Sequence, residues 1–227
     1  MPSPTGADIV GLITSYVYAF GLLLIVEAVG KRLDWPRFTT RKLIHIGAGL
    51  WIWGVLLIFD QWQWGVIPFA TFIGLNYIFY RRGTFEQMDS EEESPGTIYF
   101  AISITVLFAL LWPRGSEPLA AAAAMILTWG DGLAALIGRR FGQRTYTFFD
   151  HTRTLEGSAA FVVASLVTAT LTWLLYAPDV TGLPMALLLG GVGTVVGALA
   201  EAVSPAGLDN LTVPLLAAVA MALAGGL

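Results

Sequence analysis

Apolar residues in this chain run in long unbroken blocks, parted by short polar stretches, and they do not alternate. Eight blocks stand out, at about 8–30, 43–59, 62–80, 97–112, 118–138, 157–176, 184–203 and 210–226. A helix crossing the hydrocarbon core of a bilayer needs roughly 20 mostly apolar residues. Most blocks reach that length, and the second and fourth do so only with help from flanking polar residues. A membrane β-barrel would instead show short segments of alternating polarity. The pattern therefore predicts an all-α integral membrane protein of about eight transmembrane helices, organised as a single transmembrane domain over 1–227.

Composition strengthens that reading. The chain is 56% hydrophobic and 12% charged, about half the charged fraction of an ordinary soluble domain, and its mean hydropathy is +0.71. It has no cysteine, which removes disulfides, thiol nucleophiles and thiolate metal sites from consideration. The opening residues MPSPTGAD carry no basic cluster, so the first block is expected to be a retained helix rather than a cleaved signal.

The basic residues assign an orientation. Lys31, Arg32, Arg37, Arg41 and Lys42 follow the first block, Arg81 and Arg82 the third, and Arg139, Arg140, Arg144 and Arg153 the fifth. Only Arg114 falls on the opposite side, an eleven-to-one asymmetry that by the positive-inside rule puts both termini on the non-cytoplasmic side. The cytoplasmic loops are then about 31–42, 81–96, 139–156 and 204–209. The acidic run Glu86–Glu93 reads as a solvated connector. Glu27 and Lys31 suit an intrahelical pair. Trp51, Trp53, Trp62, Trp64 and Trp112 suit an aromatic belt near the outer boundary. The spacing of Gly190, Gly193 and Gly197 points to close helix packing.

Polar residues inside or at the ends of the apolar blocks are the candidates for chemistry, because a charge within a span costs about 2.5–3.5 kcal/mol on insertion scales. Asp131 lies within the fifth block, between Gly130 and Gly132, glycines that let a ligand or another backbone come close. Beyond it, Arg139, Arg140, Arg144 and Arg153, interleaved with Gly142, Gly157 and Ser158, would suit a polyphosphate, with Glu156 and Ser158 at a helix start where free N–H groups favour an anion. Glu201, Asp209 and Asn210 flank a Pro/Gly turn and form an oxygen-donor set of the kind Mg²⁺ takes. Arg41 and His45, four residues apart, share a helix face. All of these groups fall at the predicted cytoplasmic ends.

The stretches RKLIHIGAG at 41–49, TWGDGLAALIGRRFG at 128–142, RTLEGSAAF at 153–161 and EAVSPAGLDNLTVP at 201–214 together resemble the membrane family that includes dolichol kinase, phytol kinase and the CTP-dependent diacylglycerol kinase of yeast. The resemblance implies transfer of the terminal phosphate of CTP, or another nucleoside triphosphate, to the hydroxyl of a lipid alcohol such as phytol, a farnesol-type prenol or a polyprenol. It carries over Lys42, His45, Asp131, Arg139, Gly142, Glu156, Gly157, Glu201, Asp209 and Asn210. One departure is Arg153, where many relatives have lysine; the charge is kept.

On that resemblance the expected catalytic residues are Asp131, His45 and Glu156, with Asp131 and His45 both open as the base. With the basic loop's Arg140, Arg144 and Ser158 added from the residues themselves, nucleotide contacts are expected from Lys42, Arg139, Arg140, Gly142, Arg144, Arg153, Gly157 and Ser158, and Mg²⁺ contacts from Asp131, Glu201, Asp209 and Asn210. The partners are the nucleotide, the lipid alcohol and the bilayer, with no nucleic acid. The chain has no GxxxxGK[ST] loop, which excludes a P-loop kinase. Three other readings compete: a CTP-dependent diacylglycerol kinase, a CTP:phosphatidate cytidylyltransferase and a non-enzymatic small transporter. The cytidylyltransferase signature is missing, and a transporter site would lie near the midplane.

Overall fold

The computed structural model describes residues 1–82, 95–148, 151–179, 181–205 and 207–226. Eight α-helices follow the eight apolar blocks: α1 (Gly6–Arg32), α2 (Arg37–Ile58), α3 (Trp62–Arg82), α4 (Gly96–Leu111), α5 (Glu117–Phe141), α6 (Leu155–Tyr176), α7 (Leu183–Val203) and α8 (Asp209–Gly225). Six of them, α1, α2, α4 with its 3₁₀ extension to Arg114, α5, α6 and α7, are long and apolar enough to cross a membrane. The chain is thus an all-α membrane protein. Between α5 and α6 a short antiparallel hairpin, β1 (Thr145–Phe148) and β2 (His151–Thr154), occupies what the sequence left as loop. The acidic run Glu86–Glu93 lies outside the described residues.

Local chemistry starts the helices where the polarity pattern puts them. Thr5 and Asp8 form a reciprocal capping box at the start of α1, satisfying N–H groups that the first helical turn leaves unpaired. The second Asp8 oxygen accepts the backbone N–H of Asp60 and of Gln61, both at 3.1 Å, which ties α1 to the start of α3. Thr154 caps α6 by accepting from Gly157 N at 3.1 Å. Glu27 and Lys31 form the expected pair at 2.7 Å.

The bundle is built around α5. Leu119 to Leu127 are at most 1% exposed, and α5 packs on α2, α4, α6, α7 and α8. Lipid gives no hydrophobic drive to helix association, so close approach of backbones through small residues does the work. The run Ala120–Ala124 supplies that surface on α5. On α7 a methyl at Gly193 would meet Ile126 and Met221 at 2.8 Å, and one at Gly190 would meet Thr170 at 2.8 Å. The glycine spacing on α7 is therefore a packing surface, as expected.

Two of the tryptophans bond to neighbouring helices. Trp51 stacks on Tyr18 with ring centroids 4.6 Å apart and donates to Ser15 Oγ at 2.9 Å. Trp53 donates to Thr172 Oγ1 at 3.0 Å. Both rings are half-buried between helices, where an indole N–H needs a partner.

Candidate functional site

The helix ends α2 (start), α4 (start), α5 (end), α6 (start), α7 (end) and α8 (start) gather at one face of the bundle around the mouth of a cavity of about 560 Å³. Asp131 sits in its wall and is 6% exposed. The glycines beside it are consumed by helix packing. A methyl at Gly132 would strike Ile46 of α2, and one at Gly130 would overlap Ser165 and Phe161 of α6. A methyl at Gly49 would overlap Thr128 in the same α2–α5 seam. These close approaches seat the carboxylate between helices; of the two uses foreseen for the glycines, the structure shows the approach of another helix.

The partner of Asp131 is Lys42, 89 positions earlier, whose Nζ donates to Oδ1 at 2.8 Å and to Oδ2 at 2.7 Å. Arg139 and Arg140, the basic residues nearest in sequence, do not take that role. His45 lies one turn after Lys42, with Nε2 3.6 Å from Asp131 Oδ2, too long for a hydrogen bond. The ring packs edge-on against Phe100 at 4.9 Å, and its Nε2 is buried with no hydrogen-bond partner among the described residues.

A second ion pair stands beside the first. Arg153 Nε lies 3.0 Å from Glu201 Oε1, and its guanidinium also donates to the Glu201 carbonyl at 3.3 Å. Glu201 and Asp209 are 6% and 7% exposed, and both are close enough to Asp131 for their charges to interact. The turn that brings α7 back into α8 makes this possible. Gly207 has φ +85°, a left-handed conformation that favours glycine. Ser204 bridges the turn by a 2.6 Å bond to Thr212, and Ser103 of α4 donates to the Asn210 carbonyl at 2.8 Å. Asn210 in turn donates from N and from Nδ2 to Asp209 Oδ1, both at 2.9 Å.

Three buried carboxylates thus face two cations, Lys42 and Arg153. Around the mouth stand further arginines. Arg37, Arg41 and Arg139 line the cavity, and none is ion-paired with a carboxylate among the described residues. Arg139 lies over the Phe38 ring at 4.6 Å, a cation–π contact that holds the guanidinium against α2.

The structure divides the remaining sequence candidates. Lys42, His45, Asp131, Arg139, Arg153, Gly157, Ser158, Glu201, Asp209 and Asn210 line the cavity, whereas Arg140, Gly142, Arg144 and Glu156 do not. Glu156 accepts the backbone N–H of Gln143 at 3.1 Å and of Arg144 at 3.3 Å, fastening the end of α5 to the start of α6. Gly142 is needed where it stands, because a methyl there would overlap the Gly138 carbonyl and Thr154. Ser158 bonds Tyr146 of the hairpin at 2.7 Å. Among the described residues no three of His, Asp and Glu form a ready metal cluster.

Sequence reasoning passed over Arg37, Phe38, Asn76 and the inner half of the cavity. That half runs between α1, α2, α3 and α4 and is lined by apolar and aromatic side chains, including Leu22, Ile52, Phe69, Phe72 and Ile104. Arg37 could have been suspected from its place one turn before Arg41. The apolar lining has no separate signal in a chain this hydrophobic.

A charged chamber opening into an apolar recess, at one end of a helical membrane bundle, defines a class of membrane protein with a two-part cavity. Comparison with known proteins narrows that class. The chain is 34% identical to the phytol kinase of Synechocystis over 210 residues, which covers 91% of this chain and 87% of that protein. It is 28% identical to a chloroplastic farnesol kinase of Arabidopsis thaliana over 176 residues and 28% identical to a probable chloroplastic phytol kinase of Glycine max over 179 residues. The matches span 56% and 55% of those plant proteins, just over half their length. No family model matches the chain. On the Synechocystis match, the chain belongs to the polyprenol/phytol kinase family.

Proposed function

We propose that this protein transfers the terminal phosphate of a nucleoside triphosphate, CTP, to the hydroxyl of a prenyl alcohol, at a site facing the cytoplasm. The observation that carries the reading is the continuity of one cavity from the charged cluster around Lys42 and Asp131 into an apolar recess among α1 to α4. A phosphoryl donor and an alcohol with an apolar tail need these two environments joined at the reacting atoms. Kinship with a phytol kinase and a farnesol kinase supports the acceptor class. The eleven-to-one placement of basic residues supports the cytoplasmic orientation of this end, with both termini on the other side.

Phosphoryl transfer asks chiefly for positioning and for neutralisation of charge on the transferring group. Arg37, Arg41 and Arg139, ringing the mouth without carboxylate partners among the described residues, bind the phosphates. Arginine's planar fork suits phosphate oxygens in pairs. Ser158, on the cavity wall at the start of α6, adds a neutral hydroxyl. Lys42, fixed by both oxygens of Asp131, is aimed at the point where the charged and apolar regions meet. Both Asp131 oxygens are thereby engaged, which leaves His45 Nε2 as the free proton acceptor for the alcohol, held in place by Phe100. Glu156, Arg140 and Arg144 act at one remove, by shaping the loop behind the phosphate site.

Magnesium fits the donor set. The carboxylates of Glu201 and Asp209 and the side-chain oxygen of Asn210 are hard oxygen ligands, and the cluster holds more carboxylates than cations. Mg²⁺ in kinases uses one or two carboxylates with substrate phosphates and water rather than an all-protein cage, so the lack of a three-residue cluster is no objection. Bound there, the ion would neutralise phosphate charge.

The test is direct. Purified protein in lipid nanodiscs is given γ-labelled CTP or ATP with phytol, farnesol, a long polyprenol or diacylglycerol, and the organic phase is analysed. Label in a prenyl phosphate with release of nucleoside diphosphate supports the reading. Label only in phosphatidate moves the protein to the diacylglycerol kinases. No transfer to any alcohol overturns the kinase reading.

A further inference from the structure

From the shape of the apolar recess we infer that it is a blind, single-tail pocket whose floor, made by Tyr18 and Trp51, sets the length of the prenyl chain the protein accepts. The inference rests on the proposed function for the identity of the ligand, but its geometry stands independently. The four helices around the recess stop contributing to its wall at one depth. On α2 the last lining residue is Ile52, although the helix continues to Ile58; on α1 the lining ends at Ser15, although the helix begins at Gly6. On α3 it ends at Pro68 and on α4 at Ile104, each with a turn or more of helix beyond.

The floor is fixed by hydrogen bonds as well as by packing. Trp51 stacks on Tyr18 at 4.6 Å and is anchored to Ser15 at 2.9 Å, and the Tyr18 hydroxyl donates to the Gly47 carbonyl at 2.7 Å. Two large rings, each with its polar atom satisfied on the neighbouring helix, make a partition that a flexible side chain would not. Beyond it the bundle is closed, with Val55 fully buried and the Phe59 ring lying against Gly11.

The depth of the recess follows from α2. Lys42 marks its charged end and Ile52 its blind end, ten residues apart and hence about 15 Å along the helix axis. That depth matches an extended farnesyl tail, falls short of a fully extended phytyl chain and cannot take an extended polyprenol. The recess described by these residues narrows between Tyr18 and Trp51, a shape that fits one tail. Ala48 lies midway, one turn beyond His45, and its small side chain leaves the passage open.

Three variants of the full chain in phosphatidylcholine nanodiscs test this. Trp51→Ala removes the floor, Trp51→Phe keeps a ring there but loses the bond to Ser15, and Ala48→Phe narrows the passage. The first readout is the ratio of kcat/KM for a long prenol over geraniol. Trp51→Ala is expected to raise the ratio about tenfold and Ala48→Phe to lower it about tenfold, the size of effect that a methylene or a few carry in an apolar pocket. Trp51→Phe is expected to keep the wild-type ratio, which separates length control from loss of stability. The second readout needs no turnover: a farnesol analogue with a diazirine at its terminal isoprene is photo-crosslinked and the labelled peptides are mapped. Label on residues 15–22 or 48–52 supports the pocket; label confined to the outer, lipid-facing side chains overturns it, as does a chain-length ratio unmoved by both Trp51→Ala and Ala48→Phe. If the wild-type protein phosphorylates no prenol while the crosslink maps to the recess, the kinase reading fails and the tail pocket stands.

Discussion

Lys42 and Asp131 meet across 89 positions of sequence, with one ammonium held by both oxygens of a single carboxylate. Each is mostly buried, with side chains 13% and 8% exposed. Each therefore offsets part of the cost of the other's burial, and their pairing joins α2 to α5 at the level of the site.

This pairing gives an asymmetric expectation for stability. Removing one partner of a buried pair leaves an uncompensated charge and costs about 3–5 kcal/mol, whereas removing both is far milder. Lys42→Met alone should lower the unfolding temperature in detergent well below that of Lys42→Met/Asp131→Asn. If the double variant is the less stable one, the two residues are not a mutually dependent pair.

For turnover, both single variants are expected to lose about 100-fold or more, since small displacements at a reacting centre cost that much. Asp131→Asn keeps the shape and removes the charge that orients Lys42. Steady-state assays with a prenol should show the loss in kcat. A wild-type kcat in Asp131→Asn would remove this residue from the mechanism.

Glu156 should behave differently. It fastens the backbone of Gln143 and Arg144 and stays outside the cavity. Glu156→Gln, which keeps an oxygen for both N–H groups but loses the charge, is expected to raise KM for the nucleotide severalfold with little change in kcat. A collapse of kcat with unchanged KM would instead place the carboxylate at the reacting atoms.

The Arg153–Glu201 pair separates charge from geometry. Arg153→Lys retains a cation beside Glu201 and is expected to keep turnover within about tenfold, while Arg153→Ala leaves Glu201 buried without its partner and should cost considerably more. The comparison is made on kcat/KM for the nucleotide, and equal losses in the two variants would show that the guanidinium shape matters rather than its charge.

Metal dependence is the last expectation. Treatment with EDTA should abolish transfer, and Mg²⁺ should restore it. Asp209→Asn and Glu201→Gln are each expected to raise the Mg²⁺ concentration needed for half-maximal activity. An unchanged Mg²⁺ requirement in both variants would move the ion away from this turn.

Much of the architecture was legible in the sequence because apolar runs of bilayer length admit few alternatives. Eight helices appear within a few residues of the predicted blocks, and Asp131, Glu201 and Asp209 do line one cavity. What escaped depends on contacts between distant segments. No local pattern pairs Lys42 with Asp131, since the nearest basic residues in sequence are Arg139 and Arg140. Arg140 and Arg144 looked equivalent to Arg139 by spacing, yet only Arg139 sits on the cavity side of α5, against Phe38. Trp51 suits an interfacial ring by composition, and nothing local in the sequence signals its contacts with Ser15 and Tyr18 on another helix. The β1–β2 hairpin escaped because eight polar-rich residues carry too weak an alternation to be told from a loop.

The enclosure of α5 has a consequence for how this protein can change over time. Two thirds of the apolar window of α5 is buried against its neighbours, while for α1 the figure is 17%. Any enlargement along Ala120–Ala124 must be answered by simultaneous shrinkage on two or three other helices, so single substitutions there meet a wall. The outward face of α1 is exposed, and one apolar side chain serves there as well as another. Sequence drift is thereby channelled to the helix that also forms one wall of the recess. The lining of the recess can change on α1 and the facing edge of α2 while the charged cluster, anchored to α5, stays where it is.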